Sequence, residues 1–422
     1  MKPFQFEPPY GLTAPAAPTT QAFSGVRLVD FLLVGGGYGG LLTAIDLAER
    51  GAQVVVLEAA EIGAGGSGRN HGQCIPLFRY LDPAVLPAKG AELLADAAAL
   101  VFERIRQYDM QCEAVQKGTL TAAYNQRTLA TTKRVHAKYS ALGKSDRYYD
   151  ADEIAALTGT RKFSGGWAHR EGGHVNPLAY VRELARVALW LGVEIFTKSP
   201  MVSMTRQNGG WQVRTPDGEI HAKVVGLTTD AYSNGAIPGS LTKGFFPLTS
   251  YAVASRPLTA EQRLAVMPSG MNFGDTHHDP MFFRIDASGR IITGGLREPG
   301  RGTRFDYTAA FMTRRLGAIW PVLADLQWDH MWTGVVSMAL DQTPSIQKLD
   351  DGLWSLSGWS GRGVPTSAAL SRAFARTLED PAQGLAYWPQ RTPPQVIARG
   401  LLGSVVQLCR GPYNQMRDRL EG

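Results

Sequence analysis

The 422-residue chain has only three cysteines, Cys74, Cys112 and Cys409, and they lie far apart. There is no Cys-x-x-Cys pair and no Cys/His cluster at ligand spacing, so neither a disulfide framework nor a zinc site is expected. Such usage suits a reducing cytoplasm, where the protein is expected to reside. Long apolar runs are also missing: nowhere do about eighteen apolar residues follow one another, which argues against a membrane span. The opening MKPFQFEPPYGLTAPAAPTT lacks the apolar core of a secretion signal and reads as an extended arm, laid over the domain or left mobile. The net charge is +6, from 43 Lys and Arg against 37 Asp and Glu, yet no dense basic run occurs. A nucleic-acid partner is therefore not expected, and a bound dianion would offset part of the surplus. His277, His278 and Asp279 have ligand chemistry, but they are adjacent and no partner cluster is visible, so no metal is expected.

What the chain does contain is strand–helix alternation near both ends with antiparallel strands between. DFLLV (30–34) reads as a buried parallel strand, LLTAIDLAER (41–50) as a helix stopped by Gly51, and QVVVLE (53–58) as a second strand. Residues 91–108 read as one amphipathic helix, followed by a weak helix-rich stretch to about 142. Residues 177–191 read as a helix opened by Pro177 and closed by Gly192, with a strand at 193–196. Strands are expected within 211–227, 245–255 and 281–295, the last a hairpin, and a final strand–turn–helix at 353–378. The expected fold is α/β: a Rossmann-like parallel-sheet domain with an inserted α+β domain built on an antiparallel sheet. The expected division is an arm (1–27), a discontinuous dinucleotide domain (28–84, 143–240, 333–400), a substrate domain (85–142, 241–332) and a tail (401–422).

GGGYGG (35–40) sits between that first strand and helix, so Gly35, Gly37 and Gly40 match G-x-G-x-x-G. Gly35 permits the tight turn, Gly37 lets a pyrophosphate approach the backbone, and Gly40 lets helix and strand pack closely. The helix N-terminus then presents N–H groups to the phosphates. Glu58, at the end of the second strand, can accept from both ribose hydroxyls and would repel a 2′-phosphate. AAEIGAGGSGRNHGQ (59–73) is too glycine-rich for an ordinary crossover helix and suits a backbone passing close to a large planar ligand.

GGGYGG, Glu58 and GAGGSGRNHGQ together resemble the glycine/D-amino acid oxidase superfamily of FAD enzymes, most of all its γ-glutamylputrescine oxidase branch. Later blocks agree in order: GGHVNPLAYVRELAR (172–186), TTDAYS (228–233), FFRIDASGRIITGG (282–295), Trp332-x-Gly334 with Asp341 and Pro344, and GWSGRGVPTSAAL (358–370). The resemblance covers roughly residues 28–380 and implies extended FAD. By position it implies a cofactor lining of Gly35, Gly37, Tyr38, Gly39, Gly40, Glu58, Ala59, Ser67, Gly68, Arg69, Asn70, His71 and Gly72, with Val202 on the adenine side through its backbone. Gly361, Arg362, Gly363 and Val364 would approach the isoalloxazine. A glycine turn before a helix can also stabilise negative charge on the reduced flavin.

Several positions depart from the pattern. His71 stands where the branch has Gly, and Arg362 where it often has His. Related enzymes attach FAD to a His offset by one position, which leaves His71 as a covalent anchor or a polar contact. The W-x-G block lacks the carboxylate-clamping Arg of D-amino acid and glycine oxidases and reads VVSM (335–338). The strand IITG (291–294) lacks the Lys of sarcosine-type oxidases, so fast reaction with O2 is not implied. Arg284, in mid-strand, reads either as a substrate-binding cation or as half of a cross-strand salt bridge. Tyr251 reads as pocket lining or packing, and Trp332 as an aromatic wall or core.

The expected activity is FAD-dependent oxidation of the C–N bond of a small secondary or substituted amine or amino acid to an imine, with O2 or another electron acceptor. Arg284, Tyr251, His71 and Arg362 are the candidates for binding and electrostatics. Two other readings stay open: an FAD oxidase modifying a tRNA wobble uridine, and a non-catalytic flavin subunit of a dehydrogenase complex.

Overall fold

The structure, a computed structural model, describes residues 7–77, 81–144, 147–233 and 235–421. The first six residues of the expected arm, and 78–80, 145–146, 234 and 422 of the expected domains and tail, lie outside the described residues.

Two large sheets share the chain in an α/β arrangement. The first is mainly parallel. Its centre is Gly25–Val34, paired in parallel with Val54–Leu57 on one side and Gly218–Leu227 on the other. Glu194–Phe196 extends one edge in parallel, and Leu353–Ser357 extends the other. Val54–Leu57 is VVVL with every residue buried, as a strand covered on both faces requires. The helix Tyr38–Ala48 is buried over nearly its whole length, because it is wedged between that sheet and the helices Pro177–Trp190 and Gly363–Glu379.

The second sheet is antiparallel except for one pairing, Asn272–Asp275 with Thr119–Ala123. Its order runs Trp328–Met338, Phe246–Pro257, Arg290–Leu296, Phe282–Ile285, Asn272–Asp275, Thr119–Ala123, Gly165–His169, Arg147–Tyr149. A separate core of Phe163, Phe273, Phe283, Trp320 and neighbours packs on it.

The strands sort between sheets at other places than expected. Gly165–His169 and Arg147–Tyr149, assigned to 143–240 with the dinucleotide domain, belong to the second sheet. So does Trp328–Met338, which the expected boundary at 333 cuts in two. Conversely, the helices Ala88–Ala95 and Ala97–Gln107 pack against Gly363–Glu379 in the first core. Alternation reports that a segment is a strand, but not which sheet it joins. The single helix expected at 91–108 is two, broken at Asp96, and the helix-rich stretch beyond it holds the strand Thr119–Ala123. Among the described residues, no helix is long and apolar enough to cross a membrane.

The N-terminal arm is seated rather than loose. Pro9–Leu12 forms a short 3-10 turn whose Tyr10 is buried, edge-on to Trp332 at 5.4 Å. The C-terminal helix, Arg399–Glu421, lies against Phe246–Pro257.

Candidate functional site

A cavity of about 800 Å3 lies where the two sheets meet. The glycine turn forms one wall. Gly35 leaves its strand at φ +116°, a conformation glycine tolerates, and its N–H donates to the Leu57 carbonyl at 2.8 Å. A Cβ at Gly37 would stand 2.9 Å from Ser67 Oγ, and one at Gly40 would collide with the Gly35 carbonyl oxygen. The Tyr38–Ala48 helix therefore starts tight on its strand and has no side-chain N-cap. An uncapped helix N-terminus offers N–H groups and positive potential to an anion. Glu58 Oε2 accepts from Gly36 N–H at 2.8 Å and Oε1 from Ala60 N–H at 2.9 Å. The carboxylate thus staples the glycine turn, and Glu58, which lines the cavity, keeps acceptor capacity on each oxygen.

The 66–72 loop forms a second wall and is held from many directions. Ser67 Oγ accepts from Tyr38 N–H at 3.0 Å. Asn70 closes the loop on itself: its Nδ2 donates to the Gly66 and Ser67 carbonyls, and its Oδ1 accepts from Gly72 N–H at 2.8 Å. Three consecutive carbonyls are then pinned by buried donors from separate parts of the chain. Trp332 Nε1 donates to Arg69 O at 2.8 Å, Tyr10 Oη to Asn70 O at 2.7 Å, and Arg284 Nε to His71 O at 2.6 Å. Arg69 in turn donates from Nε to the Thr333 carbonyl at 2.9 Å.

The third wall is a second uncapped helix start. Gly361 has φ +81°, and the Gly363–Glu379 helix follows with Gly363 and Val364 on the cavity. Arg362 lines the cavity and donates to Gln342 Oε1 at 3.1 Å.

The sequence candidates converge on this cavity except four. Gly40 and Gly68 stand behind it, each pressed against a backbone carbonyl (of Gly35 and Gly63) that leaves no room for a Cβ. Val202 is half exposed at the sheet edge with its N–H bonded to the Arg214 carbonyl at 2.8 Å; its neighbours Ser199 and Met201 line the cavity instead. Arg284 is the fourth, and both readings of it are corrected. It is buried, is not on the cavity wall, and has no carboxylate partner among the described residues. Its guanidinium lies over the Tyr10 ring at 5.7 Å, beneath the loop it supports.

Among the described residues that line the cavity, His71 Nε2 and Tyr251 Oη are buried without a hydrogen bond of normal geometry. Burial, aided by the nearby Arg284 charge, pulls His71 down to about 4, so the ring is neutral at physiological pH. Burial pushes the Tyr251 phenol well above its ordinary range. The two groups flank one glycine pair. A Cβ at Gly294 would meet His71 Nε2 at 2.5 Å, and one at Gly295 would meet Tyr251 Oη at 3.5 Å.

Sequence reasoning missed Asp230 and Tyr10. Asp230 is on the cavity and accepts from Gly358 N–H at 2.8 Å and Ser337 Oγ at 2.7 Å, tying the TTDAYS segment to the second sheet and the C-terminal glycine turn. Burial raises its pKa against those bonds. Its signal was an acid in an otherwise neutral segment; Tyr10, inside a proline-rich arm, gave none.

A glycine turn at a helix start, an acid after the next strand, and a second sheet closing one shared cavity define a dinucleotide-binding oxidoreductase. The chain matches the model of the FAD dependent oxidoreductase (DAO) family over residues 30–377, and it belongs to that family; its cofactor is FAD. It is 28% identical over 368 residues to a probable oxidoreductase, OrdL, of Haemophilus influenzae, covering 84% of this chain and 83% of that one. It is 27% identical over 367 residues to the γ-glutamylputrescine oxidoreductase of Escherichia coli, covering 84% of each. Among solved structures, L-proline dehydrogenase from P. horikoshii shares the fold at a TM-score of 0.71 and 18% identity, covering 83% of this chain and 93% of that one. The protein is an FAD-dependent oxidoreductase.

Proposed function

We propose that the enzyme oxidises the C–N bond of a small secondary or substituted amine or amino acid to an imine, which water then hydrolyses. The observation that carries this reading is one cavity that joins the glycine turn, the 66–72 loop and the C-terminal glycine turn to a wall bearing His71 and Tyr251. A single enclosed site with a few convergent polar side chains is where a cofactor and a small substrate would meet.

The residues present fit FAD. Gly35, Gly37 and the Tyr38 helix start would hold the pyrophosphate, Glu58 the ribose, and Gly361–Gly363 the flavin edge. When bound, FAD supplies the hydride acceptor at its flavin N5. The chain's own residues do the rest. A hydride leaves only from a neutral amine, and His71, neutral at physiological pH, adds no positive charge to the wall beside it. Tyr251 orients the substrate through its phenol. Val335, Val336 and Met338 on the neighbouring strand bring no cation, which favours a substituted amine over an α-amino acid clamped at that strand. The three free thiols suit a reducing cytoplasm. The electron acceptor is O2 or another oxidant.

Anaerobic bleaching of the bound flavin by N-alkyl amino acids, cyclic amino acids and polyamine conjugates is the test. At least one class is expected to bleach it. Failure of all three classes overturns the reading.

A further inference from the structure

We propose that the C-terminal helix completes the substrate end of the cavity with an anion-binding site, where Arg410 and Asn414 take a carboxylate carried by the substrate away from its reacting amine. The proposal rests on the amine-oxidation reading for the word substrate, but not for the site.

The helix is fixed in register along most of its length. Gly403 sits so close to the Pro247 carbonyl that a Cβ there would collide with it, and Gly411 is packed in the same way on the Glu298 carboxylate. Gln407 Nε2 donates to the Arg297 carbonyl at 3.1 Å. Asp418 accepts from His278 N–H at 2.7 Å and Asp279 N–H at 3.0 Å. Between these anchors, Arg410 and Asn414 stand four residues apart, hence on one helix face, and both line the cavity.

Charge accounting then separates Arg410 from every other charged group on the wall. Glu58 and Asp230 are satisfied by backbone N–H groups, and Asp275 by Met281 N–H and His277. Asp279 pairs with Arg301 at 2.7 Å and with Arg315, and Glu298 with Arg301 at 2.9 Å. Arg69 donates to a backbone carbonyl and Arg362 to Gln342. Arg410 has no hydrogen bond or ion pair among the described residues, and neither does the Asn414 amide. The two carboxylates at this end are thus neutralised, and one guanidinium with a neighbouring amide is left on the wall without a partner among the described residues. Planar donors in that pattern match a carboxylate. The helix lies beyond residue 377, where the family match ends.

The test uses the FAD-loaded enzyme, R410Q and R410K. Calorimetric titration with glutarate and adipate, against diols of the same length, reads the site without any chemistry. Arg410 is exposed, so R410Q is expected to weaken dicarboxylate binding about three- to tenfold, with R410K recovering part of it and diol binding unchanged. Anaerobic flavin reduction by ω-amino carboxylates and by alkylamines of matched length reads the substrate. The wild type is expected to favour the carboxylates in Kd, and R410Q to bring that ratio close to one with the limiting rate held. Unaltered dicarboxylate binding in R410Q overturns the site. Loss of that binding in R410Q, with no amine bleaching the flavin, keeps the site and overturns the oxidation reading instead.

Discussion

His71 Nε2 and Tyr251 Oη are both buried without a hydrogen bond of normal geometry among the described residues, but they carry different consequences. His71 is held down to about 4 by burial, whereas an unfolded chain returns it to about 6.5. Between those values the unfolded state binds more protons, so stability rises with pH through that window and is lost as pH falls through it. His71 is fully buried, and the term is worth at most about 3 kcal/mol. H71N is expected to flatten the stability profile between pH 6.5 and 4, read by denaturant unfolding across that range. Tyr251→Phe removes a hydroxyl with no such bond among the described residues, so the thermal midpoint should hold. Substrate affinity should fall about three- to tenfold, the value of one hydrogen bond, read as Kd in anaerobic flavin reduction. Residue chemistry made both of these legible in the sequence. Arg284 shows the limit. It shares a strand face with Phe282, which does line the cavity, so the side was readable. What was not readable is that the 69–72 loop lies between Arg284 and the cavity and takes its hydrogen bond.

At the scale of elements, the cofactor loop is rigid because three carbonyls in a row are held by Trp332, Tyr10 and Arg284. Tyr10→Phe keeps the edge contact with Trp332 and loses only the bond to Asn70 O, about 1 kcal/mol. It is expected to speed FAD release while leaving the fold intact, measured as loss of 450-nm-region flavin absorbance on gel filtration. Gly37→Ala sets a methyl 2.9 Å from Ser67 Oγ and into the phosphate approach, and should lower FAD occupancy more than it lowers stability. The βαβ unit was read closely because local signals suffice there: the strands fall at Gly25–Val34 and Val54–Leu57, with the helix at Tyr38–Ala48 between them. Thr119–Ala123 was lost in a helix-rich stretch, since five residues of TLTAA gain strand identity only from neighbours on either side, Asn272–Asp275 and Gly165–His169.

For the whole molecule, one cavity touches both sheets, two helix starts and the C-terminal helix, and the N-terminal arm is tied to its wall through Tyr10 and Asn70. Ligand binding there couples all of them, so FAD at a hundredfold excess over Kd should add about 2.7 kcal/mol of stability. Scanning calorimetry of apo- and holoprotein should show the unfolding of both sheets shifting together; a shift confined to one component would mean that the sheets unfold independently. Two domains and their class were readable from alternating segments. Their boundaries were not, because strands such as Gly165–His169 pair with Thr119–Ala123, whose other neighbour, Asn272–Asp275, lies far along the chain.

The contact between Tyr10 and Trp332 also constrains how the protein is made. Tyr10 is synthesised well before Trp332, so its docking site does not exist until Trp332 has been made. At ordinary elongation rates that is a wait on the order of tens of seconds. During it the arm must neither pair with a half-built sheet nor associate with another nascent chain. Pro8, Pro9, Pro15 and Pro18 give it few backbone donors for either, so the proline-rich composition is a safeguard for a segment made long before the surface that receives it.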